Sequence, residues 1–310
     1  MEVRIEQLKV WFETKVAVRI GLWFVVSLVL SLVFFKEFLA SLGTMLSPEW
    51  IFEQHHAAGW GILALCVIWL YLKRKAISRD VTLGLQPVFI PLGLALIAGA
   101  ILMPSTQNYL VFQVLAAALG VFIIVFGKAA RIPAILLGIY GFGISFPLII
   151  EKFAELPYSV GAIKPLMWIM TSLGYPFQSD GLWVNFTSVG GESVSVAIVS
   201  ACGGPVTMGV FLSIFALMML DVPLLPKKAA WIFLFGVAGT WVQAILRLVI
   251  LMFVGYYWGR DALFSVHSWS IYVVFPLWYL LFVYVYFRQV KRPPEAGGKQ
   301  ELKYLLAGGR

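Results

Sequence analysis

The sequence is poor in charge. Of its 310 residues only 12% are Asp, Glu, Lys or Arg, while 61% are hydrophobic and the mean hydropathy is +0.91. A soluble domain of this length needs far more polar surface, so an integral membrane protein is expected. Cysteine is nearly absent. Cys66 and Cys202 allow at most one disulfide, and because Cys66 lies inside an apolar run both are expected as free thiols. Histidine is confined to His55, His56 and His267, and there is neither a phosphate-binding loop nor a metal-ligand cluster, so no metal and no cofactor are expected. The net charge of +8 does not point to nucleic acid, because the basic residues gather at the ends of apolar runs, as membrane topology predicts. The N-terminal stretch reads as a mixed helix running straight into the first apolar segment, without a cleavable signal.

Crossing roughly 30 Å of hydrocarbon takes about 20 apolar residues in a helix. By that measure eight spans are expected, at 17–40, 57–72, 87–104, 109–127, 132–150, 203–221, 229–256 and 267–288. With this count, Arg4, Lys9, Lys15 and Arg19, the run 73–79, Lys128 with Arg131, Lys227 with Lys228, and Arg288 with Lys291 and Arg292 all fall on one side. The positive-inside rule places that side, and both termini, in the cytoplasm. The fold expected is an all-α polytopic membrane protein, divided into a cytoplasmic segment 1–16, a five-helix region 17–150, an extracytoplasmic segment 151–201, a three-helix catalytic region 202–288 and a cytoplasmic tail 289–310. Within 151–201, the first part reads as an interfacial helix, and the alternating residues flanking Gly190 and Gly191 read as a β-hairpin before the sixth helix.

Three reactive residues are expected at similar depth on the extracytoplasmic side. Cys202 opens the sixth span, Arg247 lies inside the seventh, and His267 opens the eighth, after an outer loop 256–266. Near a helix N-cap, the amides of Gly203 and Gly204 can lower the thiol's pKa and donate to an oxyanion, and Pro205 costs nothing in a first helical turn. His267 can take the thiol proton and return it to a leaving amine. Arg247 can hold a developing oxyanion. A charge within a span costs about 2.5–3.5 kcal/mol on insertion scales and normally marks a functional interior. The seventh and eighth spans offer it no acid, and only Asp261 lies near in sequence.

Other features read more plainly. His55 and His56 are loop residues or weak metal ligands, the sequon at Asn185 is a glycosylation acceptor where the host permits it, and Glu192 reads as a hairpin acid facing water.

The segments SACGGP around Cys202, QAILR ending at Arg247 and VHSW around His267 make the chain resemble the exosortase/archaeosortase family of membrane cysteine transpeptidases, mainly over residues 180–285. Where that family usually has Ser-Gly after the cysteine, this chain has Gly203-Gly204. Where it has Asn three residues before the arginine, this chain has Ala244, with Gln243 one turn before Arg247 as a supporting polar partner. The resemblance implies catalytic Cys202, Arg247 and His267. It also implies secreted substrates bearing a C-terminal sorting signal, made of a short motif, a transmembrane helix and a basic cluster, which are cleaved and transferred to a membrane lipid or other surface acceptor. From the residues alone, two other readings stay open: a transporter that binds an anionic solute at Arg247, and a non-catalytic membrane assembly factor.

Overall fold

The computed structural model describes residues 2–51, 54–79, 87–104, 109–199, 202 and 204–290. Gly203, the residues 105–108 between the third and fourth expected spans, and the polar tail from 291 lie outside them, as does the side chain of His55. The described residues are mostly helical. They form α1 (Glu2–Phe34), α2 (Lys36–Met45), α3 (Pro48–Ile51), α4 (Gln54–Leu72), α5 (Arg74–Arg79), α6 (Phe89–Leu102), α7 (Leu110–Phe126), a 3-10 turn (Gly127–Ala130), α8 (Arg131–Ser172), α9 (Pro205–Asp221) and α10 (Pro226–Val290). Three strands, β1 (Gln178–Asp180), β2 (Trp183–Thr187) and β3 (Ser193–Ala197), stand between α8 and α9.

Among the described residues, three stretches are long and apolar enough to cross a membrane: Val16–Phe34, Leu110–Ser172 and Pro226–Val290. Shorter apolar helices cover His56–Leu72, Phe89–Leu102 and Pro205–Asp221. Several expected boundaries move. The first span ends at Phe34, because Phe35 leaves helical geometry and α2 begins at Lys36. The helix expected after residue 151 is present: non-helical backbone at Ala154, within α8, separates it from the fifth span. The outer loop expected at 256–266 is helical too. Only Gly259, at φ 83°, breaks α10, a conformation that L side chains rarely adopt.

The chain divides into two compact units, Met1–Lys152 with Leu212–Leu217, and Phe153–Phe211 with Met218–Arg310. In the first, α6 and α7 cross glycine to glycine: a methyl on Gly93 would strike the Gly120 carbonyl, and one on Gly120 would strike that of Gly93. Such small-residue crossings bring membrane helices into close van der Waals contact. The Trp23 indole ties α1 to α7 by donating to the Ala118 carbonyl at 2.9 Å. Cys66 is buried here as a free thiol, and His56 stacks on Trp50 at 3.5 Å.

The second unit is built on an antiparallel meander in the order β1-β2-β3. The expected hairpin is β2–β3, registered by Val184 opposite Val196 and Phe186 opposite Val194; Gly191 takes a positive φ of 82° in its turn. Val184, Phe186 and Val194 are buried, and with Ile198 they pack on Ala162, Leu166 and Met170 of α8 and Ile245, Leu248 and Met252 of α10. Period-2 alternation therefore sets the sheet's inner face on a helical core. Within β2, the Asn185 side chain is half-buried and accepts a 2.6 Å hydrogen bond from Ser195.

α10 folds back on itself at Gly259. Its contacts pair residues spaced equally on either side of that glycine. Gly255 lies against Leu263, Gly236 against Phe282, and the Trp278 indole donates to Thr240 Oγ1 at 3.0 Å. A side chain at Gly239 would collide with Trp278. This antiparallel helical hairpin carries Arg247 on one arm and His267 on the other.

Candidate active site

α9 starts with Gly204 as its N-cap, at φ 97° and ψ 23°, and Pro205 as the first helical residue. That is the tolerated place for proline, as the sequence suggested. A Cβ on Gly204 would sit 2.9 Å from Ala244 Cβ and 3.0 Å from Thr207 Oγ1, so both backbone conformation and space require glycine. Thr207 Oγ1 donates to the Gly204 carbonyl at 2.7 Å, and among the described residues no side chain caps the helix start. From the other arm, Tyr279 donates to the Thr207 carbonyl at 2.8 Å and fastens the first turn of α9.

Cys202 therefore does not open the helix but precedes its N-cap by two residues. Its backbone N–H donates to the Val199 carbonyl at 2.9 Å, and its half-buried, free thiol packs against the sheet-and-helix core. The Arg247 charge lowers the thiol's pKa, as expected, but it does not set the net direction. Burial pushes the pKa above its ordinary value, and the backbone of Val199 and the Arg247 charge only partly pull it back.

Arg247 is 1% exposed. Its Nε donates to Ser270 Oγ at 2.9 Å, and its Nη2 donates to the His267 carbonyl at 3.0 Å and meets His267 Nδ1 at 3.4 Å. A guanidinium nitrogen can only donate, so Nδ1 is the accepting nitrogen and the neutral ring carries its proton on Nε2. Ser270 Oγ in turn donates to the His267 carbonyl at 3.2 Å, closing a small ring of bonds. The guanidinium also lies 6.0 Å from the Phe275 ring centroid. These hydrogen-bond partners are all neutral; Asp261 is not among them. The acidic group that feels the Arg247 charge is the Cys202 thiol.

The structure thus joins Arg247 directly to His267 and couples it electrostatically to Cys202. His267 stands two turns inside its helix rather than at the start, because the arm begins just after Gly259. Gln243 is buried at 7% exposure on the same arm as Arg247, one turn before it. Gly204 lies where expected, while Gly203 is outside the described residues. Glu192 does not simply face water: its Oε2 accepts the Arg260 backbone N–H at 3.2 Å. Sequence reading passed over Ser270, although its place one turn after His267 is the spacing that puts two side chains on one helical face. Among the described residues, no three His, Cys, Asp or Glu side chains gather as a metal would require.

These features define a membrane protein with a buried arginine on one arm of a helical hairpin, bonded to a histidine on the other. The Transmembrane exosortase family model matches residues 50–284, more than half of the chain, and the protein belongs to that family. No curated protein and no solved structure matches it.

Proposed function

We propose that the protein is a membrane-embedded cysteine protease and transpeptidase that cleaves C-terminal sorting signals of secreted proteins and passes them to a lipid or other surface acceptor. The observation that carries this reading is the environment of Arg247: a cation 1% exposed, held by neutral groups, whose charge acts on the Cys202 thiol. A buried cation without a carboxylate partner is costly, and it best stabilises an anion that appears only during reaction. Family membership supports a membrane transpeptidase role in general.

The Cys202 proton passes to His267 Nδ1 as Arg247 Nη2 turns from that nitrogen toward the substrate. The thiolate then attacks the scissile carbonyl carbon. The resulting oxyanion is held by the guanidinium and by amides at the start of α9. As the C–N bond breaks, His267 returns the proton to the leaving amine, and a thioester remains on Cys202. Attack by an acceptor nucleophile or by water releases the acyl group and restores the thiol. The raised thiol pKa suits this sequence, since thiolate forms when substrate, His267 and Arg247 act together. The site works on the extracytoplasmic side, where a secreted protein's signal helix emerges.

The test is co-expression with a secreted reporter that carries a sorting signal, followed by gel mobility. The wild-type protein shifts the reporter and Cys202→Ala does not. A shift that persists with Cys202→Ala refutes the mechanism.

A further inference from the structure

Gln243 is more than nine-tenths buried, yet among the described residues neither its Nε2 nor its Oε1 has a hydrogen-bond partner. Buried amides are almost always satisfied, because leaving donor and acceptor unpaired loses their hydration without replacement. An apolar side chain of similar length would fill the same space without that cost. The buried amide is therefore suited to a hydrogen-bonding partner from outside the protein.

Its position indicates what that partner is. Gln243 lies one helical turn before Arg247, so both side chains leave α10 on one face. The next residue, Ala244, abuts Gly204 at the start of α9, two residues after Cys202. The unsatisfied amide thus lies on the helix face of Arg247, on the residue before the one that abuts the start of α9. It offers one empty donor set and one empty acceptor, the complement of a single peptide group. An oxyanion would use only Nε2 and leave Oε1 unpaired.

We propose that Gln243 clamps a backbone peptide group of the substrate next to the scissile bond, with Nε2 donating to its carbonyl and Oε1 accepting its N–H. This rests on the cysteine-peptidase reading above. It makes Gln243 a substrate-binding residue that reads main chain rather than side chain, which suits a site that must accept many proteins sharing one short signal.

The experiment uses the full-length protein in membranes, with a secreted reporter ending in a short motif, a transmembrane helix and a basic cluster. Gln243→Met keeps the side-chain length and removes both polar atoms. It is expected to accumulate normally and unfold in detergent at an equal or higher temperature. It should process the reporter about ten- to hundred-fold more slowly, mainly through a raised KM. In a Cys202→Ala background, uncleaved reporter co-purifies with the protein, and Gln243→Met lowers that recovery about ten-fold. Processing within two-fold of wild type, with undiminished capture, overturns the proposal and leaves the amide to an ordered water. If Gln243→Met does not accumulate, Gln243→Asn, which keeps the amide but withdraws it by one methylene, is judged by the same capture assay with the same criteria. Processing that survives Cys202→Ala refutes instead the reading on which the proposal stands.

Discussion

Glu192, at the turn of the β2–β3 hairpin, accepts the backbone N–H of Arg260 at 3.2 Å, and a Cβ on Gly259 would lie 2.5 Å from the same carboxylate oxygen. The hairpin turn is fixed to α10 at the residue where that helix reverses. A second bond, from the Val189 N–H to the Tyr256 carbonyl at 2.8 Å, holds the same corner. The carboxylate acts as an N-terminal cap supplied from another element, at the start of the arm that carries His267.

Removing that cap should loosen the arm. Glu192→Ala is expected to lower stability by about 1 kcal/mol, as loss of a helix cap usually does, while Glu192→Gln keeps an acceptor oxygen and most of the effect. Gly259→Ala meets both the positive φ and the carboxylate, so it should lose more than Glu192→Ala. Thermal unfolding of the three variants in one detergent ranks them; equal midpoints for Glu192→Ala and wild type would show the contact to be idle.

Ser270 holds the guanidinium in register with His267. Ser270→Ala leaves the buried Arg247 Nε without its partner and should destabilise the protein by about 2 kcal/mol, the usual worth of a hydrogen bond to a charged group. Arg247→Lys loses the planar fork that reaches Ser270 and His267 together, so processing should fall by about 10²–10³ even where the protein accumulates. Reporter turnover alongside unfolding temperature separates the two effects; wild-type turnover by Arg247→Lys would mean that charge alone suffices.

The raised Cys202 pKa has a defined consequence for pH. Burial favours the neutral thiol in the folded protein, so between the ordinary value of 9.0 and the folded value the native state binds more protons than the unfolded one. Stability then falls as pH rises through that window, and Cys202→Ala should abolish this component of the fall. Alkylation of Cys202 should be slow near neutral pH and accelerate only above that ordinary value. Arg247→Gln removes the cation that pulls the pKa down, and should shift the alkylation profile to still higher pH. Fast alkylation at pH 7 would contradict the buried-thiol picture.

Gly204→Ala should be among the most damaging single-methyl changes in the second unit. The backbone at φ 97° disfavours any L side chain, and the methyl would press on Ala244 and Thr207. A loss of about 1–3 kcal/mol is expected from the backbone alone, with displacement of the helix start beside Cys202. Accumulation and unfolding temperature report the first effect. Reporter processing by the surviving protein reports the second.

Much of this architecture was readable from residue pattern. Apolar runs located the helices, alternation about Gly190 and Gly191 located the hairpin, and Pro205 marked a first helical turn. Period and composition are direct consequences of which face is buried. What escaped was governed by tertiary contact. β1 is three polar residues whose only strand signal is its pairing with β2. The polar stretch around Arg260 and Asp261 looked like a loop, although one glycine in an unusual conformation is enough to turn the helix. The thiol was assigned to the helix start because the sixth apolar run was placed from residue 203. Its pKa direction was missed because desolvation depends on a core assembled from three distant segments. Arg247, by contrast, stood out because an unmatched charge among apolar residues is rare whatever the fold.

The single-residue turn at Gly259 also sets an angular phase. Helical residues advance by about 100° each, and no flexible loop between the arms can absorb a mismatch. One residue inserted between Gly259 and His267 would carry the imidazole around its helix, away from the guanidinium, although every side chain remained present. The Arg247–His267 pairing is therefore held by the number of residues between them as much as by their chemistry, like two teeth on wheels keyed to one shaft.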